Sequence, residues 1–228
     1  MKGANTHLWN VNPSEAVAIQ NRLRNAVRLQ FPGNVNAIQF VAGADVSFNR
    51  SSSQIFAAVV IVAIPTLEVV HTFQHIAEVN FPYIPGLLSF REVPALWPIL
   101  QEAAPLFDVL ICDAQGIAHP RRLGLASHVG VLLNKPTIGC AKSRLIGTYQ
   151  EPAEVKGAFS YLWDEDEKVG AVVRTRNGVK PVFVSPGHLM DVETAIRIVL
   201  MSTHKFRLPE PTRQAHILVN QLRHQHKE

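Results

Sequence analysis

Apolar positions along the chain fall into blocks whose period alternates between strand and helix. Residues 37–48 (AIQFVAGADVSF), 55–64 (IFAAVVIVAI) and 67–79 (LEVVHTFQHIAEV) are strand-like runs. The "PTLE" at 65–68 supplies a tight turn between the last two and predicts an antiparallel meander. Ahead of them, Ile19, Leu23 and Val27 recur on one helical face over residues 14–29, with Ser14 as N-cap after Pro13. A second helix begins at Ser89 and must take Pro94 and Pro98 near its start or kink at them. "FDVLICD" (107–113) is a short apolar run suited to a strand buried on both faces. Helix 122–134 and strand 136–141 then complete a βαβ unit. After a polar stretch (150–168), "KVGAVVRT" and "KPVFVSPG" predict two more strands. A helix starts at Asp191, its N-cap, and a basic one runs from Pro211 to about His224. No repeat or linker interrupts the pattern, so one domain is expected over residues 1–228. The predicted class is α/β: a mixed β-sheet, an antiparallel meander plus parallel strands, flanked by helices.

Composition adds bounds. With 228 residues and 47% hydrophobic content the chain can bury a full core. A formal charge of +4 fits a polyanionic partner without identifying one. Cys112 and Cys140 are the only two cysteines and both lie in apolar runs. They form neither a disulfide framework nor a zinc spacing, and read as core residues of a reduced, cytoplasmic protein. Residues 1–10 lack the apolar core of a secretion signal, and the longest apolar run is too short to span a bilayer. A soluble protein with no membrane partner is expected.

Candidate chemistry lies in the acidic residues. Asp45 is the only charge between Ala37 and Phe48, and a lone carboxylate in a strand needs a partner or a metal. Asp113 ends an apolar strand, where parallel sheets deliver side chains to a crevice; capping the next turn is the alternative. "SFRE" (89–92) fits a capping box, which would occupy Glu92 in the backbone. Carboxylates meeting over a mixed sheet are the way oxygen-liganded magnesium sites are built. "HPRR" (119–122) and "AKSR" (141–144) follow successive strands at the same sheet edge, giving a cationic rim suited to a phosphodiester or merely solvated turns. The loop "NFPYIPGLLSFRE" (80–92) stiffens an aromatic and an aliphatic tip between two prolines.

Taken in order, "AGADVSF" (42–48), "PYIPGLLSFRE" (82–92), "DAQGIAHPRRLGLASH" (113–128), "PTIGCAKSRLIG" (136–147), "SPGH" (185–188) and "LPEPTR" (208–213) resemble the endonuclease V family, deoxyinosine 3′ endonucleases of ribonuclease H-like fold. The resemblance implies metal-dependent hydrolysis of DNA at the second phosphodiester bond 3′ to a deaminated adenine, leaving a 3′-hydroxyl and a 5′-phosphate. It implies Mg²⁺, with Mn²⁺ able to substitute, held by Asp45, Asp113 and Glu92, and it assigns catalytic roles to Lys142 and His119. DNA with deaminated bases is the implied partner, inosine-containing RNA or a non-cutting lesion binder being the alternatives, and a monomer is expected. Pro82, Tyr83, Ile84 and Pro85 are then a rigid wedge with Tyr83 as the stacking face, and the amides of Gly86, Leu87 and Leu88 are implied to read the flipped base. Arg121, Arg122 and Arg144 are implied to line the DNA path. The family's Asp-Gly-x-Gly is Asp113-Ala114-Gln115-Gly116 here, so alanine is strained if position 114 needs a positive φ.

Overall fold

The apolar runs pair into one eight-stranded sheet in the computed structural model of the protein, which describes residues 7–49 and 52–226. The reading of residues 1–10 therefore falls partly outside the described residues. The strands are β1 (Phe40–Phe48), β2 (Gln54–Ala63), β3 (Val69–Glu78), β4 (Val109–Cys112), β5 (Thr137–Ala141), β6 (Phe159–Asp164), β7 (Glu167–Val173) and β8 (Val182–Pro186). Their spatial order is β3-β2-β1-β4-β5-β8-β7-β6. The meander forms as expected, with Asp45 opposite Ala58. β1, β4 and β5 are parallel, and Ala44 lies beside Cys112, so Asp45 and Asp113 leave the sheet at one edge. The parallel section stops there. β8 returns antiparallel to β5, and β7 and β6 continue antiparallel.

Alternation along β1 sorts the helices into two layers. Val41 joins Val109, Ile111, Ile196, Val199 and Ala215 on the face covered by α4 (Val192–Met201) and α5 (Glu210–Gln225). Ala42 and Ala44 join Val93, Leu96, Leu100 and Val129 on the face covered by α2 (Leu88–Ala103) and α3 (Leu125–Leu133). Gly43 sets the fit of α5. A Cβ there would lie 2.2 Å from the Pro211 carbonyl carbon, so only glycine lets the first turn of α5 press onto β1.

Three local expectations are corrected, and the place of two prolines is fixed. The first helix, α1 (Pro13–Leu23), is capped by Asn12 in a capping box with Glu15, which leaves Ser14 inside it. Pro94 and Pro98 both lie inside α2, one turn apart, while Val93, Leu96 and Leu100 bury its inner face. Burial of that face outweighs the lost backbone bonds. The capping box at Ser89 does not form, because α2 starts at Leu88 and Ser89 is buried. Strand β6 lies in the stretch read as polar connection.

Candidate active site

Three carboxylates converge at the sheet edge. Asp45 accepts from the Val46 amide at 2.9 Å, and its second oxygen lies 2.7 Å from His216 Nδ1 on α5. Asp113 is bound by the Lys142 ammonium. Glu92 reaches in from the first turns of α2, and its carboxyl makes no hydrogen bond among the described residues. Burial pushes its carboxyl up to about 8, with the charges of Asp45 and Asp113 adding to the shift. Asp45 is raised as well, by burial and then by Asp113, and His216 offsets part of this. The edge thus gathers hard oxygen donors, of which Asp45 and Asp113 have cationic or imidazole partners and Glu92 has none, a donor set that suits a divalent ion. It is not a closed cage. Among the described residues no group of three or more His, Cys, Asp or Glu side chains is gathered tightly enough to hold an ion, and one oxygen each of Asp113 and Asp45 is already taken by Lys142 and His216.

Beside the carboxylates lies a cavity of about 180 Å³, lined by Tyr83, Gly86, Leu88, Ser89, Ala114 and Gln115 among others. Tyr83 is 70% exposed at its mouth, which excludes a core role. Pro82 and Pro85 are exposed on either side, while Ile84 packs on Phe81, Leu87 and Phe90. The Leu87 amide closes a turn onto the Ile84 carbonyl at 2.9 Å, so it is not available to read a base. The Gly86 carbonyl accepts from Gln20 Nε2 (3.0 Å), His119 Nε2 (3.0 Å) and Arg121 Nη2 (2.7 Å). Gly86 has φ +80°, which favours glycine, and a Cβ there would lie 2.7 Å from Arg121 Nη2 and push that guanidinium aside. Ala114 is not among the residues of positive φ; it is buried in the α2–α3 core and carries no strain.

The basic residues divide. His119 Nδ1 accepts from the Arg121 amide at 3.1 Å, so Nε2 carries the proton donated to Gly86. Burial, then Arg121, holds it down to about 4. With both nitrogens engaged, His119 tethers the loop. Arg121 is likewise committed, its Nε donating to Gln20 Oε1 at 2.5 Å. Arg122 is paired with Asp164 and Glu167, each at 2.7 Å, and is not a free phosphate contact. Arg144 donates to the Gly147 carbonyl at 2.9 Å and lies over the Tyr149 ring. Lys142 remains half-exposed beside Asp113.

An endonuclease V family model matches residues 21–217, nearly the whole span that builds this edge and cavity. The chain belongs to the endonuclease V family. It is 47% identical to the endonuclease V of Kosmotoga olearia over 96% of both chains. Among solved structures, the Streptomyces avermitilis endonuclease V superposes with a TM-score of 0.88 at 40% identity, covering 95% of each chain. A Ciona intestinalis endonuclease V, solved with a 24mer DNA containing an inosine followed by a ribo-adenosine, gives 0.83 at 26% identity, covering 94% of this chain and 98% of that one. As a family member the protein is an endonuclease with a ribonuclease H-like fold. Two elements of this endonuclease V site escaped the sequence. His216 sits in a polar helix 171 residues from Asp45, and nothing local marks it. Gln20 is a buried amide in α1, 1% exposed, and a polar residue inside an apolar helix stripe was the available signal.

Proposed function

We propose that the protein is a DNA repair enzyme that cuts the second phosphodiester bond 3′ to deoxyinosine by metal-dependent hydrolysis, leaving a 3′-hydroxyl and a 5′-phosphate. The observation that carries this is the adjacency of an exposed, proline-braced Tyr83 tip, a base-sized cavity and a buried carboxylate cluster. Inserting Tyr83 would fill the space left by a flipped base and offset part of the unstacking cost. The Ciona relative solved on inosine-containing DNA supports the same substrate. Asp45, Glu92 and Asp113 would hold Mg²⁺, or Mn²⁺ in its place; the ion supplies Lewis acidity and an activated water. Lys142 neutralises charge on the phosphoryl oxygens, and His216 fixes the Asp45 carboxylate. A monomer with a single domain over residues 1–228 is part of this reading. Two buried free cysteines, with no helix among the described residues able to cross a membrane, fit a cytoplasmic enzyme.

Inosine-containing RNA is the second reading, favoured by the ribo-adenosine that follows the inosine in the Ciona complex. A lesion binder that does not cut would have no use for carboxylates that disfavour their own ionisation. The test is cleavage of matched deoxyinosine duplex and inosine RNA with Mg²⁺ by wild type and Asp113→Asn. Duplex cutting that is lost in the variant and in excess EDTA is expected. Cutting that survives EDTA would overturn the metal-dependent reading.

A further inference from the structure

One buried serine of the cavity wall has the polarity of its hydroxyl fixed by the fold. Ser89 lines the cavity, and its Oγ lies 2.9 Å from His128 Nδ1. His128 Nε2 lies 2.7 Å from His7 Nε2, and His7 Nδ1 lies 2.7 Å from the Leu8 carbonyl. A carbonyl can only accept, so His7 carries its proton on Nδ1. Burial lowers both imidazoles, His128 to about 3, and keeps them neutral at pH 7. His7 Nε2 is then a lone pair, which must accept from His128 Nε2–H. His128 Nδ1 is left unprotonated, and the Ser89 hydroxyl donates to it. Trp9 and Phe90 pack against both imidazoles and hold the rings in register. The single proton of Ser89 is spent inward, so any further hydrogen bond it makes, it accepts.

We propose that Ser89 Oγ is the acceptor that selects the ring N–H of a deaminated base seated in this cavity, with His128 and His7 as positioning residues. The inference rests on the function proposed above and names how that site discriminates. Deamination of adenine replaces an amino group by a carbonyl and turns the adjacent ring nitrogen from an acceptor into an N–H donor. A freely rotating hydroxyl would serve either form equally. Held as an acceptor, it bonds the deaminated base and sets lone pair against lone pair with adenine. One neutral hydrogen bond corresponds to about fivefold in the specificity ratio.

The test compares duplexes carrying deoxyinosine or deoxynebularine, a purine whose corresponding ring nitrogen is an acceptor. In Ser89→Ala the inosine-to-nebularine ratio of kcat/KM should fall by about fivefold or more. In His7→Phe the chain loses its end and His128 can take either tautomer, so the ratio should fall in the same direction. Nitrogen NMR of the wild-type protein should find His128 protonated at Nε2 and bare at Nδ1. The opposite tautomer, or ratios within twofold of wild type in both variants, overturns the inference alone. Failure of wild type to cut deoxyinosine takes down the proposed function as well, and appears in the wild-type arm.

Discussion

Replacing Glu92 by glutamine should stabilise the metal-free protein, and increasingly so as pH rises. The folded carboxyl binds its proton up to about pH 8, against 4.5 unfolded. Between those values the folded state holds a proton that the unfolded state has released, so stability falls as pH rises from about 4.5 through about 8. Glutamine is neutral in both states and removes this term. Each unit of offset corresponds to about 1.4 kcal/mol, which gives about 3 kcal/mol at pH 7 as an upper limit. Glu92 keeps some solvent contact, so about 2 kcal/mol is the working figure, rising further by pH 8.5 and falling below about 1 at pH 5. For a chain of this length that is a Tm rise of roughly 5 °C at pH 7. The measurement is urea unfolding of both proteins in EDTA at pH 5, 7 and 8.5. A gap that does not widen with pH, or a variant less stable at pH 8.5, refutes the account of Glu92 as a carboxyl held among like charges. On the proposed function, the same variant should cut poorly and should show less Mg²⁺-induced stabilisation than is expected of wild type, because a neutral amide no longer draws the ion in.

Tyr83→Ala should leave unfolding free energy within about 0.5 kcal/mol of wild type, because the ring is exposed, while affinity for inosine duplex falls about tenfold. A core-sized loss of about 3–5 kcal/mol would place the ring against the protein instead. Arg144→Ala should lower the log–log salt slope of DNA binding by about 0.9, one duplex phosphate contact. Arg122→Ala should leave that slope unchanged and cost stability, since Asp164 and Glu167 lose their partner. Equal slopes in wild type and Arg144→Ala would remove Arg144 from the DNA path.

The parts of the fold legible in the sequence are those where burial alone dictates the pattern. β2 and β4 lie between neighbours on both sides and read as unbroken apolar runs. β6 did not: it is an edge strand like β3, but six residues long against ten. Its outward Phe159 and Trp163 are exposed, and only Leu162 is fully buried. Asp45 was legible for the same reason in reverse, as a charge where the strand offers none. The capping box at Ser89 and Glu92 was locally sound, and it failed because a partner 39 residues away in sequence, His128, claims the serine hydroxyl. His216 had no local mark at all; its place depends on Gly43 letting α5 settle on β1. Arg122 looked like part of a cationic rim, and the acids that neutralise it sit on β6 and β7, past the point where sequence spacing carries information.

On the proposed function recognition and cutting fall at different nucleotides, and these placements bear on why. The cavity and the carboxylates are distinct places joined by two short rigid spans. One is the start of α2, where Ser89 faces the cavity and Glu92, three residues on, enters the acidic cluster. The other is the segment from Asp113 to Gln115, with its first residue in the cluster and its next two in the cavity wall. Neither span has slack: α2 is packed on the sheet along its inner face, and Ala114 is buried in the same core. The loop opposite is held by three donors on the Gly86 carbonyl. A base seated in the cavity therefore cannot carry its own phosphates to the carboxylates by flexing the protein. The strand has to run past the cluster, and the bond presented there belongs to a neighbouring nucleotide at a fixed offset. On the proposed function, the displacement of the cut from the lesion is a consequence of this spacing, and no separate measuring element is needed.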